Sequence, residues 1–301
     1  MHDHHHHHHG VSGDSDIRLL AIALAINAGF MVVEITVGVL ANSLALLSDA
    51  AHMFTDAGAI GLALVAARLA RRKAQGSMTF GLKRAEILSA QVNGLTLVIL
   101  AGFIVYEGIR RLVDPPDVEA WLVLWIGFAG LLVNGAAAVV LARATRQSLN
   151  IQGAVQHNLM DAYASVGTAV AAAVILLTGF DRADAIASLL IAVPMLRSGY
   201  LLVKASGRVF LEAAPEGVDP DAVGRAMVAH AGVREVHDLH VWEVTSGFPA
   251  LSAHVMVGRD DDCHDVRRGL EALLRDDFDL HHTTLQVDHE GGELLSIEHP
   301  A

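Results

Sequence analysis

Six long apolar runs dominate the sequence: Ile17 to Leu40, Leu44 to Ala67, Glu86 to Ile109, Ala120 to Ala142, Leu149 to Thr178 and Ala183 to Lys204. A hydrocarbon core of about 30 Å is crossed by about 20 helical residues, and every run reaches that length. Backbone groups in lipid must find partners within the protein, so such runs fold as a bundle of helices and not as open sheet. With 53% hydrophobic and only 18% charged residues, the chain is too apolar for an ordinary soluble domain.

Six crossings leave both ends on one side. The connection RLARRKAQGSMTFGLKRAE between the second and third runs carries Arg68, Arg71, Arg72, Lys73, Lys83 and Arg84, and Arg143 and Arg146 follow the fourth. The opposite connections are acidic or nearly neutral apart from Arg110, Arg111 and Arg182. The positive-inside rule therefore puts both termini in the cytoplasm, in the inner membrane if the cell is bacterial. Trp121 and Trp125 then fall at the outer interface, and Pro194 predicts a kink in the sixth span.

Residues 1–212 carry 15 acidic and 15 basic side chains, whereas 213–301 carry 18 and 6, so the net charge of -12 belongs to the C-terminal part. That contrast predicts a His-rich tail at 1–16, a transmembrane domain at 17–212, a cytoplasmic domain at 213–291 and a short tail at 292–301. The histidines at 4 to 9 read equally as a purification tag or as a native metal-collecting tract. They form no signal peptide. The sole cysteine, Cys263, excludes an internal disulfide and fits a reducing compartment.

The chemistry lies in two of the apolar runs. LLSDAAHMFTDA places His52 and Asp56 one helical turn apart, with Asp49 a turn earlier, and QHNLMDAYA repeats the spacing with His157 and Asp161. An ionisable group in a bilayer costs at least about 2.5 kcal/mol, so a retained set needs partners or a pathway. The second and fifth spans run in opposite directions, which sets His52 opposite Asp161 and Asp56 opposite His157 near mid-membrane. Two imidazoles and two carboxylates can close a tetrahedron suited to Zn2+ better than to Ca2+, Mg2+ or Cu+; Co2+, Fe2+, Ni2+ and Cd2+ stay open. Without metal, two carboxylates in a low-dielectric site favour protons as the alternative occupants, so metal and protons exclude each other. Asp49 is open to three roles: outer-path proton acceptor, hydrogen-bond partner of His52, or helix-packing carboxylate. Asn27, Asn93, Asn134 and Asn158 could line a polar pathway, although in membrane bundles such residues more often serve as interhelical hydrogen-bond donors and acceptors.

From Pro215 the pattern becomes αββαβ: a helix over VDPDAVGRAMVAH, strands over REVHDLHVWEVT and FPALSAHVMVG, a helix over CHDVRRGLEALLRD and a strand over HTTLQVDH. Two helices on one face of a three-stranded sheet make an α+β ferredoxin-like arrangement. Pairing with a second copy would bury more of so small a domain.

LLSDAAHMFTDA, MTFGLKRAEILSAQVNG, QHNLMDAYAS and VHDLHVWEV together resemble the cation diffusion facilitators, specifically their zinc-transporting branch, over Ile17 to Asp288. The resemblance implies a homodimer, embedded in membrane lipid, that exports Zn2+ from the cytoplasm in exchange for protons. Its transport ligands would be His52, Asp56, His157 and Asp161, and a histidine at position 52 implies preference for zinc over cadmium. His237, His254, His281 and Asp288 sit on strands or strand ends and correspond to cytoplasmic zinc ligands of the family, with His264 and His240 as further candidates; the alternative is that these are solvated strand and loop histidines. The second-to-third loop is basic where some relatives carry a metal-binding cluster, so no metal is expected there. Arg84 and Glu212, both cytoplasmic in this topology, are candidates for an ion pair. Neither an organic cofactor nor a nucleic-acid partner is expected. An enzyme is not expected either: HMFTD and HNLMD lack the general base of an intramembrane metallohydrolase, and four protein ligands leave no open position on the metal. The rival reading is a membrane-bound zinc sensor or scaffold without transport.

Overall fold

The computed structural model describes residues 14–142 and 149–290. The histidine tract, Arg143, Arg146 and the 292–301 tail lie outside the described residues, as does the side chain of His157. In chain order the elements are α1 (Asp14–Leu40), α2 (Leu44–Ala70), α3 (Ala85–Val113), α4 (Ala120–Ala142), α5 (Leu149–Thr178), α6 (Arg182–Phe210), α7 (Pro220–Val228), β1 (Val233–Thr245), β2 (Phe248–Val257), α8 (Cys263–Phe278) and β3 (His282–His289).

Five helices, α2 to α6, are long and apolar enough to cross a membrane, and the described apolar part of α1 is the shorter Ala25–Leu40. Several helices outrun their apolar segments: α2 continues to Ala70, α3 to Val113 and α6 to Phe210. A helix does not need to stop where the hydrocarbon does, because its backbone bonds are internal at either depth. Helix α6 runs on through Pro194. The described residues divide into two compact units, one drawn from 1–63 and 92–202, the other from 64–91 and 203–301.

In the first unit, small residues let backbones approach. A Cβ on Gly127 would lie 2.9 Å from the Ala169 amide nitrogen, and one on Gly130 would lie 2.6 Å from Ser165 Oγ, so α4 and α5 touch along a glycine seam. Gly199 of α6 meets the Gly94 carbonyl of α3 in the same way, at 2.9 Å. Large apolar side chains on the outer faces, such as Ile99, Phe103 and Leu177, remain exposed, as lipid-facing positions should. Trp121 and Trp125 are both more than half exposed and meet edge to face, with ring centroids 5.6 Å apart.

A buried carboxylate organises the start of α2. Ser43 accepts from the Leu46 amide at 3.2 Å as an N-cap, and its own hydroxyl donates to Asp184 of α6 at 2.5 Å. Asp184 also accepts from the Leu44 amide at 2.7 Å and, more loosely, from the Ala45 amide. Two helices distant in sequence thus share the orphan amides of one terminus. Asn42, in the left-handed region with φ 55°, makes the preceding turn, and Arg111 of α3 donates to its carbonyl at 2.6 Å.

The second unit holds the small domain. Its sheet has the order β1-β2-β3, with β1 antiparallel and β3 parallel to β2. Alternation along β2 sends Leu251, Ala253, Val255 and Val257 into a core that α7 completes with Val223 and Met227, and α8 with Val266, Leu270 and Leu274. Both helices begin as their sequences dictate. Asp219 precedes Pro220 and accepts from the Asp221 amide, and Asp262 accepts from the amides of His264 and Asp265. Those backbone bonds, from Asp265 and then His264, hold the exposed Asp262 carboxyl below the usual carboxylate range. Helix α8 ends on Asp279 in the left-handed conformation, φ 56°.

The α2–α3 connection belongs to the same unit. Gly81 has φ 71°, and a Cβ there would press on the Arg72 carbonyl at 3.0 Å, so this turn requires glycine. Phe80 stacks edge to face on Phe248 and His282, and the Lys83 ammonium lies 3.8 Å above the Phe248 ring. Arg84 pairs with Glu212 at 3.2 Å, the contact expected from sequence. Ser206 of α6 donates to the Gln91 side chain at the start of α3.

Candidate metal centre

Helical periodicity puts Asp49, His52 and Asp56 along one stripe of α2. His52 Nε2 stands 3.5 Å from Asp56 Oδ2, and both side chains keep a little over a quarter of their exposure. Asp49 is buried, 1% exposed, and accepts from Ser165 of α5 at 3.4 Å. Asp161, one turn before Ser165, is equally buried, and the Ser165 hydroxyl also donates to its backbone carbonyl at 3.0 Å. The carboxylates of Asp49 and Asp161 are close enough to act on each other electrostatically. Nearer the start of α2, Ala45 packs with Ala171 and Ile175, and Leu46 with Ala172. Partners on α5 therefore fall in number as those on α2 rise, and the two helices are antiparallel.

His157 lies on α5 one turn before Asp161, and its side chain is outside the described residues. Among the described residues, no three His, Cys, Asp or Glu side chains converge as a metal-ligand group. Asn27 of α1 donates to Asn158 of α5 at 3.0 Å, the interhelical role expected of these residues. Asn134 of α4 is fully buried.

Sequence reasoning passed over Glu34. It lies in the last third of α1 at 0% exposure, and its carboxyl faces that of Asp49. The signal was present in FMVVEITVG, a lone acid inside an apolar run, and such a residue faces the bundle interior because lipid would not solvate it.

The cytoplasmic candidates are only partly gathered. His237 and His254 are register partners on β1 and β2, with ring centroids 5.4 Å apart. Asp238, not singled out from sequence, reaches both neighbours: its oxygens lie 2.9 Å from His240 Nε2 and 4.0 Å from His254 Nε2. It sits at φ 52° where the β1–β2 register shifts, and that irregularity turns its side chain toward the two histidines. His281 instead bonds Asp279 at 2.8 Å, and Asp288 accepts from Gln286 at 2.8 Å. His264 sits in the first turn of α8. The expected convergence of His237, His254, His281, Asp288 and His264 is thus not reached within these residues of one chain. The reason is register: the parallel pairing puts Gln286, not Asp288, beside His254.

Long apolar helices that bury Glu34, Asp49 and Asp161 among them, joined to a small α+β domain, define an integral membrane protein. Residues 20–211 match the cation efflux transmembrane domain and residues 215–290 the cytoplasmic domain of cation efflux proteins, so the chain belongs to the cation efflux family, whose members are transporters and not enzymes. Among similar proteins, the cadmium, cobalt and zinc/H(+)-K(+) antiporter of Bacillus subtilis is 38% identical over 91% of this chain and 89% of its own. The zinc transporter ZitB of Escherichia coli is 37% identical over 96% and 93%. The metal cation efflux system protein CzcD of Cupriavidus metallidurans is 38% identical over 90% and 86%. A solved metal-bound C-terminal domain of the CzcD transporter is 37% identical, covering 23% of this chain and 97% of its own, with a TM-score of 0.23.

Proposed function

We propose that this protein exports Zn2+ from the cytoplasm in exchange for protons, through a tetrahedral site of His52, Asp56, His157 and Asp161 between α2 and α5. The observation that carries the reading is the antiparallel register of those helices. Asp49 meets Ser165; one further turn along α2 and one turn back along α5 sets the His52 backbone level with Asp161, and the next sets Asp56 level with His157. Related proteins are named for zinc, cadmium and cobalt, which supports the ligand chemistry, and one is named an H(+)-K(+) antiporter, which supports counter-transport. Metal entering the site displaces protons from imidazole and carboxylate, and re-protonation from the far side weakens the ligands and releases the ion. Rocking of the helices changes which side the site faces without carrying the ion far.

The wider assignment has six crossings, α1 to α6, with both termini cytoplasmic in the inner membrane, and a ferredoxin-like domain beginning at residue 213 through which two copies pair. In that domain His237 and His254 are the first two donors for a regulatory zinc ion, the rest coming from His281, Asp288 or His264 of a second copy. Metal binding there would stabilise the dimer and raise flux as cytoplasmic zinc climbs, by linkage between two sites.

Flux in proteoliposomes carrying an internal pH dye tests the transport reading. Wild-type protein should move zinc with protons moving the other way, and Asp161→Ala should abolish both. Zinc flux without proton movement, or a fully active Asp161→Ala variant, would refute the antiport site, and absence of flux in either form would favour a sensor.

A further inference from the structure

The second unit encloses an open cavity of about 1170 Å³ where the ends of α2, α3 and α6 meet the connection 77–84 and strand β1. Besides the Arg84–Glu212 pair and β1 residues such as His240 and Trp242, two groups of lining residues matter. Leu69, Leu88 and Phe210 supply an apolar floor from the three membrane-crossing helices, and Ser77, Thr79 and Lys83 supply hydroxyls and a cation. Leu88 and Phe210 stay exposed, at 55% and 39%, beside the similarly exposed Met78 and Phe80. We propose that this cavity is a binding site for an anionic phospholipid, taken from the bilayer face at which the α2–α3 connection emerges, with the phosphodiester at Lys83, Ser77 and Thr79 and an acyl chain along Leu69, Leu88 and Phe210.

Charge selects that occupant. Between Asp56 and Glu86 the chain carries six Lys and Arg and no acid. In the cavity wall Arg84 is matched by Glu212 and Lys83 rests on Phe248, whereas Arg71, Arg72 and Lys73, which flank the cavity in sequence without lining it, are exposed and among the described residues form no ion pair. Cations clustered directly beside a membrane-spanning helix attract anionic headgroups, and pockets between helix ends add shape to that attraction. A soluble anion would leave the apolar floor wet, and a zwitterionic lipid would bring no net charge to offset the cations beside the cavity. A lipid with net negative charge satisfies both parts of the cavity.

The test uses the full chain, purified and delipidated in neutral detergent, with bound lipid counted by native mass spectrometry. Phosphatidylglycerol should bind one per chain and at least about tenfold more tightly than phosphatidylcholine. A cation near an anionic headgroup contributes about fivefold, so Lys83→Gln should weaken binding about fivefold, and Arg71→Gln, Arg72→Gln and Lys73→Gln together should weaken it further without removing it. Ser77→Trp, which fills the cavity without changing charge, should remove the one-to-one complex. Equal binding of the two lipids by wild-type protein, which needs no variant to fold, overturns the proposal. So does full competition by glycerol phosphate, which would mark an ion site, or a disulfide between copies formed by Met78→Cys that excludes lipid, which would mark a protein contact. The part of zinc binding that Asp161→Ala removes, measured in the same detergent, reports the transport site separately, so failure of either claim leaves the other standing.

Discussion

Replacing Asp184 by alanine should destabilise the whole helical unit, although position 184 lies far in sequence from the helix it serves. The carboxylate accepts from the Ser43 hydroxyl at 2.5 Å and the Leu44 amide at 2.7 Å, with the Ala45 amide a longer 3.4 Å away. The residue is only 2% exposed, so water cannot replace it at those donors. A buried donor left without an acceptor costs about 1–3 kcal/mol, and the two close ones give about 2–6 kcal/mol together. Chains of roughly this size lose about 2–4 °C per kcal/mol, so the unfolding midpoint should fall on the order of 10 °C. Tryptophan fluorescence during heating in one detergent, at a fixed scan rate, reads this directly. Asp184→Asn keeps an acceptor oxygen in place and should lose less than half as much. Ser43→Ala combined with Asp184→Ala should cost less than the two separate losses added, because they share a bond. An Asp184→Ala midpoint within about 2 °C of wild type would show that this helix start is satisfied some other way, and the reasoning would be wrong.

In the α4–α5 seam, Gly130→Val should cost about 1–3 kcal/mol by overpacking, since even a Cβ would lie 2.6 Å from Ser165 Oγ; an unchanged melting midpoint would contradict the close approach. Leu274→Ala, at a position with 0% exposure in the small domain's core, should cost about 2–5 kcal/mol, measurable as earlier loss of hydrogen-exchange protection in β2 and α8. Asp262 supplies a pH effect. Its carboxyl titrates lower in the folded chain than its ordinary value of 3.8, so its contribution to stability is complete above that value and is lost as pH falls through the folded one. The first turn of α8 should therefore fray in acid in the wild type, and hydrogen exchange there should lose that pH step in Asp262→Ala.

How legible was this in the chain alone? The apolar runs, the His52–Asp56 spacing and the alternation of β2 are local patterns, and each appears among the described residues where the spacing puts it. The two helix starts in the small domain were equally local, an Asp before Pro220 and an Asp before Cys263-His264. Glu34 was harder to see, because one acid barely changes the hydropathy of a long window. Its proximity to Asp49 depends on how α1 packs, and hydropathy holds no information on that. The cytoplasmic candidates gather only in part for a related reason: strand positions were readable, but which residue of β3 stands beside His254 is a property of the pairing.

The sequence by itself determined that this chain enters a membrane, where its helices run, and most of the residues that carry ionisable chemistry within them. Tertiary structure decided the pairings: Asp184 capping a helix that begins 140 residues earlier, Asp49 facing Ser165, and Asp238 turned toward His240 and His254. The division has one physical cause. Hydrogen bonding within a helix and the cost of leaving water are set by residues a few positions apart, so a short window contains them. Register and rotation between helices or strands are set by side chains interlocking across segments brought together only when the whole chain packs.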